Sequence, residues 1–371
     1  MKPKPSSMPT SHSPQRMITE LQTQGLRLAS GKSTQLRRKG GAGPSDHQAI
    51  TIGDTTVMVP VYSDSAWESP FSVDESNDRN SLNQDGIPLA DITFVNNPKF
   101  YELHTADGIP YSHIATLHSR DVLATTVLQT CIRYESRRKA CKFCSIGQSL
   151  RAGRTIAHKT PQQLAEVAKA AVELDGIQHM VMTTGTPATP DRGAAVLCDS
   201  ALAIKAAVDL PIQGQCEPPK DPIWYQRMKD AGIDALGMHL EVVTPALRDE
   251  LMPGKAELTM DVYMQAFADA VAVFGRGQVS TYILAGLGDS AEAITACCEK
   301  LIALGVYPFV VPFVPIRGTP LEDHPAPTAD FMEPLLETIA AQLASGQLRS
   351  TDIKAGCGRC GACSTLSKYE H

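Results

Sequence analysis

The sequence predicts an α/β protein, and three observations carry that prediction. From residue 122 onward, short apolar or β-branched runs alternate with longer amphipathic segments, six times in succession. A stretch rich in β-branched residues and turn dipeptides precedes them. The glycine, cysteine and polar features gather where the predicted strands end. Strand–helix alternation implies parallel strands joined by right-handed crossovers. Runs such as Phe309-Val310-Val311 suit a parallel sheet buried on both faces. Six units can close part-way as a barrel or lie open as a doubly wound sheet, and periodicity does not choose between them. In both, the reactive site lies at the C-terminal ends of the strands.

Four regions are expected: 1–48, 49–120, 121–345 and 346–371. In the first, residues 1–16 are rich in Pro, Ser and Lys and are predicted to be disordered. An amphipathic helix is predicted over 17–29, then a Gly/Lys/Arg/Ser linker over 30–47. The second region is a small β-rich layer. Strands are predicted at 50–52, 56–59, 61–62, 92–95 and 101–103, with turns at Asp85-Gly86 and Asp107-Gly108 and a mobile polar loop over 64–84. The third is the α/β core. Its strands are predicted at 122–129, 179–182, 211–216, 235–240, 279–284 and 307–313. Helices are predicted at 161–174, 191–208, 221–231, 244–252, 258–275, 290–304 and 328–344, the first opened by Thr160 as N-cap with Pro161 behind it. The fourth region is a cysteine-rich tail.

Composition narrows the function classes. The chain has 371 residues, 43% of them apolar, and a net charge of −6. That balance argues against a nucleic-acid or anionic-membrane partner bound through a global basic surface. No apolar run approaches the roughly 20 residues of a membrane span. The basic N-terminus lacks an apolar h-region, so no secretory signal is expected there. With ten cysteines and a large predicted core, a reducing, cytoplasmic location is expected rather than a disulfide framework. Cys198, Cys216, Cys297 and Cys298 fall within predicted helices and a strand, where core packing is their expected role.

The other six cysteines form two groups. Cys131, Cys141 and Cys144 are spaced C-x9-C-x2-C, with Phe143 before the third. Three thiolates on one loop can hold three irons of a [4Fe-4S] cube and leave the fourth open. The same C-x2-C can be half of a zinc site or a redox dithiol. Cys357, Cys360 and Cys363 are spaced C-x2-C-x2-C between glycines, like the start of a ferredoxin run. That motif suits a second, auxiliary [4Fe-4S] cluster, or a zinc knuckle completed by His371. A further alternative is a non-catalytic scaffold with zinc on Cys141, Cys144, Cys357 and Cys360. The remaining features at strand ends are Thr184-Gly185-Thr186, Gln213 to Pro218, His239-Leu240-Glu241, Gly286-Leu287-Gly288-Asp289 and Arg317 to Leu321.

In this order the motifs resemble the radical S-adenosylmethionine (SAM) superfamily, and within it the biotin synthase-like branch. The resemblance covers about 122–325. It departs from the usual C-x3-C-x-aromatic-C at the first gap, which is nine residues here. It implies a partial (β/α)6 TIM-like barrel. It implies cluster ligation by Cys131, Cys141 and Cys144, and a place for Phe143 in the SAM-binding loop. It further implies that Thr184, Gly185 and Thr186 meet the SAM amino group, His239 and Glu241 the ribose, Arg248 the carboxylate, and the Gly286 segment the adenine. The implied chemistry is reductive cleavage of SAM to methionine and a 5′-deoxyadenosyl radical that abstracts hydrogen from a small molecule. The electron would come from a ferredoxin- or flavodoxin-like donor. Arg133, Arg137, Arg138 and Lys139, within the long gap, are expected to be solvated or to dock that donor. The layout also resembles a subgroup encoded in bacterial nitrilase gene clusters, implying nitrile- or cyanide-related nitrogen metabolism. A tail cluster would bind substrate, relay electrons or donate sulfur, the last making a sulfur-inserting transferase. Substrate contacts are expected at the third and sixth strand ends and in the N-terminal layer.

Overall fold

The computed structural model describes residues 13–28, 47–61, 68–74 and 80–370. Among these, twelve strands make two sheets. The first is antiparallel: β1 (His47–Ile52), β2 (Thr55–Pro60), β3 (Phe71–Asp74), β4 (Asn80–Gln84) and β5 (Ile87–Phe94), in the order β2-β1-β5-β4-β3. A helix at Pro14–Gln24 lies against it. Ser13 caps this helix by accepting the Arg16 N–H, and Pro14 supplies the preset first turn. Ile18 and Leu21 pack with Val57, Val59 and Phe71 into a small core of their own.

The second sheet is the body of the molecule. β6 (Thr116–His118) pairs antiparallel with β7 (Val122–Thr126). β8 (His179–Thr183), β9 (Ile212–Gln215), β10 (Ala235–Gly237), β11 (Val279–Ala285) and β12 (Val306–Pro312) then follow, each parallel to the last. Every residue of β12 is buried, as a strand covered on both faces requires. Helices at Pro161–Asp175, Ala194–Ala207, Met260–Phe274 and Ala291–Leu304 make the crossovers with shorter companions.

The sheet curls, and the tail shows by how much. In a flat sheet of seven strands the outer two would stand about 29 Å apart. Here Cys363 Sγ lies 3.7 Å from His118 Nε2 on β6, while the next residue, Ser364, donates its hydroxyl to the Val310 carbonyl on β12 at 2.6 Å. One short segment bridges both edges, so the sheet is a half-barrel with the tail inside its curl. This is the partial (β/α)6 TIM-like barrel that the family resemblance implied, with β6 added antiparallel at one edge.

Several expectations need correction. Within the loop predicted over 64–84, Phe71–Asp74 and Asn80–Gln84 pair as a hairpin. Its mostly polar strands bury few side chains, so the apolar signal is weak. The strand predicted at 101–103 is instead a 3-10 turn, Lys99–Glu102, whose first two N–H groups donate to Asp175. The helix predicted at 244–252 ends at Leu251, and Pro253 opens a separate turn, Pro253–Ala256. The N-terminal helix begins at Pro14, inside the stretch predicted to be disordered, and stops at Gln24. The expectations that fall on residues 1–12, 29–46, 62–67, 75–79 and 371 lie outside the described residues. No helix among the described residues is long and apolar enough to cross a membrane.

Candidate functional site

The first cysteine group stands where β7 ends. Ile132 N–H donates to the Thr186 carbonyl at 3.0 Å, and Gly185 N–H donates to Leu128 at 2.9 Å. The Thr184-Gly185-Thr186 turn therefore clamps the start of the cysteine loop. Gly185 is required there, because a Cβ would collide with the Thr130 carbonyl oxygen beside Cys131. Lys142 N–H donates to Leu251 and Cys144 N–H to Cys141. Phe143 and Cys141 pack with Leu251, Met252, Leu287 and Phe313.

The nine-residue gap is not a solvated excursion. Arg133 is buried and forks onto Glu217, with Nε–Oε1 at 2.6 Å and Nη2–Oε2 at 2.8 Å. Its Nη1 donates to the Gly254 carbonyl. Glu217 Oε1 also accepts the Thr186 hydroxyl at 3.0 Å. Burial works against the Glu217 carboxylate, yet Arg133, Lys255 and Thr186 together hold it below the usual range. Lys139 pairs with Glu257 at 2.6 Å and stays exposed, so Arg137, Arg138 and Lys139 are exposed as expected and Arg133 is the exception.

At the end of β10, Glu241 sits in left-handed backbone, φ 60°, and Oε2 accepts from Lys255 Nζ at 2.5 Å. Lys255 is buried, which disfavours its charge. Glu241, Tyr263, Glu217 and Cys141 outweigh that and raise its pKa above the ordinary lysine value. His239 accepts the Tyr282 N–H on Nδ1 at 3.2 Å. Burial and nearby Lys255 push it down to about 3, so the ring is neutral and Nε2 carries the proton. Arg248 departs from its expected role. Nη1 donates to the Leu240 and Val242 carbonyls, Nη2 to Leu258, and the guanidinium lies over the Tyr263 ring. It is committed to the backbone rather than offered to a carboxylate. Gly286 takes φ 106°, and Asp289 caps Val243 and Thr244, tying the fifth strand end to the fourth.

The second cysteine group lies inside the curl. Gly356 N–H donates to His179 at the start of β8, and Cys357 N–H to Gln213 on β9. The tail therefore plugs the half-barrel from the N-terminal ends of its strands. Each thiol meets a polar side chain. Gln215 Nε2 donates to Cys357 Sγ at 3.3 Å, Ser119 hydrogen-bonds Cys360, and His118 and Tyr282 meet Cys363. Burial pushes Cys357 up to about 12 and Cys144 up to about 11.

Both groups suit iron–sulfur ligation. Buried thiols surrounded by hydrogen-bond donors gain most from those donors as thiolates, and a cluster stabilises thiolates. Among the described residues no three His, Cys, Asp or Glu side chains stand close enough to share one metal ion. A cube spreads its cysteines over separate irons, so its ligands stand wider apart. A single zinc on Cys141, Cys144, Cys357 and Cys360 has no such gathering to rest on. The four remaining cysteines are buried in the core, as expected.

Between the two groups runs a cavity of about 210 Å³. Phe143 and Phe313 line it, as do Tyr282, His118, Gln22 and Cys363. Sequence reasoning missed Arg133, Lys255, His118 and Gln22. The Gln-Gly-Gln run of β9 did carry a signal: polar residues on an otherwise buried strand point into a polar lumen.

Residues 137–301 match the Radical SAM superfamily. That span holds Cys141, Cys144 and the strand ends through β11, but neither Cys131 nor the tail. The bacteriochlorophyllide c C-7(1)-hydroxylase of Chlorobaculum limnaeum is 24% identical over 254 residues, 63% of this chain and 63% of the relative. A probable dual-specificity RNA methyltransferase RlmN of Moorella thermoacetica is 26% identical over 125 residues, 33% of this chain and 35% of the relative. The chain thus spans less than two thirds of each. Among solved structures, methylornithine synthase (PylB) is 17% identical with a TM-score of 0.48, covering 66% of this chain and 67% of that one. The family match falls on the strand ends that gather the cysteine loop, the Thr-Gly-Thr turn and Glu241, so over residues 137–301 the chain is similar to the radical SAM superfamily.

Proposed function

We propose that the chain cleaves SAM reductively and abstracts hydrogen from a small molecule held between two iron–sulfur clusters. The observation that carries this is the cavity, which has Phe143 of the first cysteine loop and Cys363 of the second group in its wall. Cys131, Cys141 and Cys144 would hold the SAM-binding [4Fe-4S] cluster, and Cys357, Cys360 and Cys363 the auxiliary one. Bound there, the first cluster would supply the one electron for reductive cleavage of SAM to methionine and a 5′-deoxyadenosyl radical able to take a hydrogen atom from substrate.

The chain's own residues bind and orient. The Thr184-Gly185-Thr186 turn offers a closely approachable backbone to the SAM amino group. Glu241, with Oε2 on Lys255, keeps Oε1 for the ribose, since Oε1 has no hydrogen bond among the described residues. The Nε2–H of neutral His239 is a donor beside that acceptor. The Arg133–Glu217 pair fixes Cys131 against the Thr186 turn. Phe143, Phe313 and Leu287 exclude water, which protects a radical from quenching. A ferredoxin- or flavodoxin-like protein is the electron donor. The resemblance to the nitrilase-cluster subgroup supports a substrate from nitrile-related nitrogen metabolism.

The test is anaerobic reconstitution with iron and sulfide, followed by SAM and dithionite. Methionine and 5′-deoxyadenosine are expected from the parent and not from Cys144→Ala. No 5′-deoxyadenosine from the parent would overturn the reading.

A further inference from the structure

One buried charge stands apart from the pairs already described. Lys159, next to the helix cap Thr160, is 0% exposed. Its segment runs back along the chain that leads from β7 into the first cysteine loop. Lys159 N–H donates to the Val127 carbonyl at 3.0 Å, and Gln129 N–H donates to that of Ala157 at 2.8 Å. The side-chain Nζ lies 2.6 Å from the Thr126 carbonyl, 3.4 Å from that of Ile156 and 3.5 Å from Gln129 Oε1. Three acceptors suit the three protons of an ammonium, whereas a neutral amine would turn its lone pair onto one of them. Arg133 and Lys255 each face a carboxylate. Lys159 does not: no charged side chain among the described residues acts on it, and burial alone draws it down to about 7. A buried cation held only by neutral oxygens is costly, and a nearby anion would offset that cost.

The neighbours of Lys159 lead to both arms of the first cysteine loop. Gln129, whose Oε1 faces Nζ, donates from Nε2 to the Ile146 carbonyl at 2.8 Å. Gln129 stands two residues before Cys131, and Ile146 two residues after Cys144. Two residues span at most about 7 Å. One amide therefore ties the two ends of the loop together, and the ammonium braces that amide. Lys159 is not among the side chains lining the cavity, so it serves the loop rather than a ligand held there.

We infer that Lys159 is the counter-ion of a cluster on Cys131, Cys141 and Cys144, a positioning residue that holds the loop through Gln129 and favours the arrival of the electron through its charge. Three thiolates make such a cluster anionic, and an added electron makes it more so, so a buried cation close by stabilises the reduced state. One electron passes from the protein donor to the cluster, and no bond to Lys159 carbon or nitrogen forms or breaks. Where the amine has lost its proton, the incoming electron draws one from solvent. The inference rests on the proposed cluster, and the experiment separates the two.

The anaerobically reconstituted full chain is titrated with dithionite under EPR, and the signal lost in Cys144→Ala identifies the first cluster. Lys159→Met is expected to make that cluster about tenfold harder to reduce at neutral pH, a fall of about 59 mV. Its iron content and the potential of the tail cluster should match the parent. In the parent, the first potential should fall as the pH rises through the interval between 7 and the ordinary lysine value of 10.5, because the reduced cluster holds the Lys159 proton more tightly. That slope should be absent in Lys159→Met. An unchanged potential in the variant, a parent potential that is flat with pH, or an equal fall at the tail cluster overturns the inference. If Lys159→Met does not fold, the pH dependence of the parent decides alone. A parent with no signal that depends on Cys144 overturns the proposed cluster and this inference with it, whereas a signal that does not move overturns this inference only.

Discussion

The two cysteine groups share a residue type and little else. The first is surrounded by charge: Arg133 on Glu217, Lys255 on Glu241, with Cys141 directly influenced by the second pair. The second lies among polar side chains, and those acting on Cys357 and Cys360 are Gln215, Ser119 and the other cysteines. The difference teaches what each environment is built to do. Paired charges create anchor points for a zwitterionic ligand such as SAM and fix the loop rigidly. Neutral hydrogen bonds to sulfur do not recognise a charged ligand, but they stabilise added electron density and so raise a cluster's reduction potential. A cluster on the tail cysteines, as proposed, would therefore be the better electron acceptor of the two.

The contrast can be broken in four ways, taken from the largest effect to the smallest. Cys141→Ala should abolish 5′-deoxyadenosine formation while leaving the tail cluster's iron in place, read by product analysis and iron assay. Arg133→Leu strands Glu217 as a buried, unpaired carboxylate, and should cost roughly 3–5 kcal/mol of stability in denaturant titration. Arg133→Lys should recover only part of that, because an ammonium cannot fork onto both oxygens. Gln215→Leu removes one donor from the tail sulfurs. In an EPR-monitored redox titration it should lower the tail potential by about 59 mV, a tenfold change in a one-electron equilibrium, and leave the first cluster unmoved. The smallest effect concerns His179, which holds the tail by accepting the Gly356 N–H. Burial, helped by Arg359, pushes it down to about 4 from an ordinary 6.5. The unfolded chain then binds the extra proton first, so stability is full above pH 6.5 and falls as the pH drops toward 4. Thermal denaturation of His179→Gln should show a flatter slope across that window.

The same contrast explains how much was legible beforehand. The six parallel strands announce themselves because each is a short apolar run, and the strand ends follow from them. The first cysteine loop and the Thr-Gly-Thr turn are local in sequence and were read directly. Arg133 was not, because its partner Glu217 lies 84 residues away and a charged insertion looks solvated until it is docked. Arg248 was assigned to a ligand by position, although its length lets it reach three carbonyls of its own backbone neighbourhood. Lys255 has no local signature at all. The tail motif was visible, but its burial inside the curl was not, since nothing in 357–363 names His118, Gln215 or Gln22 as neighbours. The long-range pairing that joins an N-terminal helix to a C-terminal motif, Gln22 to Ala362, leaves no periodic trace.

The central claim is that two cysteine groups hold two clusters, and counting iron tests it most directly. Iron and acid-labile sulfide per chain should be measured after anaerobic reconstitution, for the parent and for the Cys357→Ala/Cys360→Ala/Cys363→Ala variant. The account predicts about eight irons in the parent and about four in the variant. An equal iron content in the two proteins would contradict it.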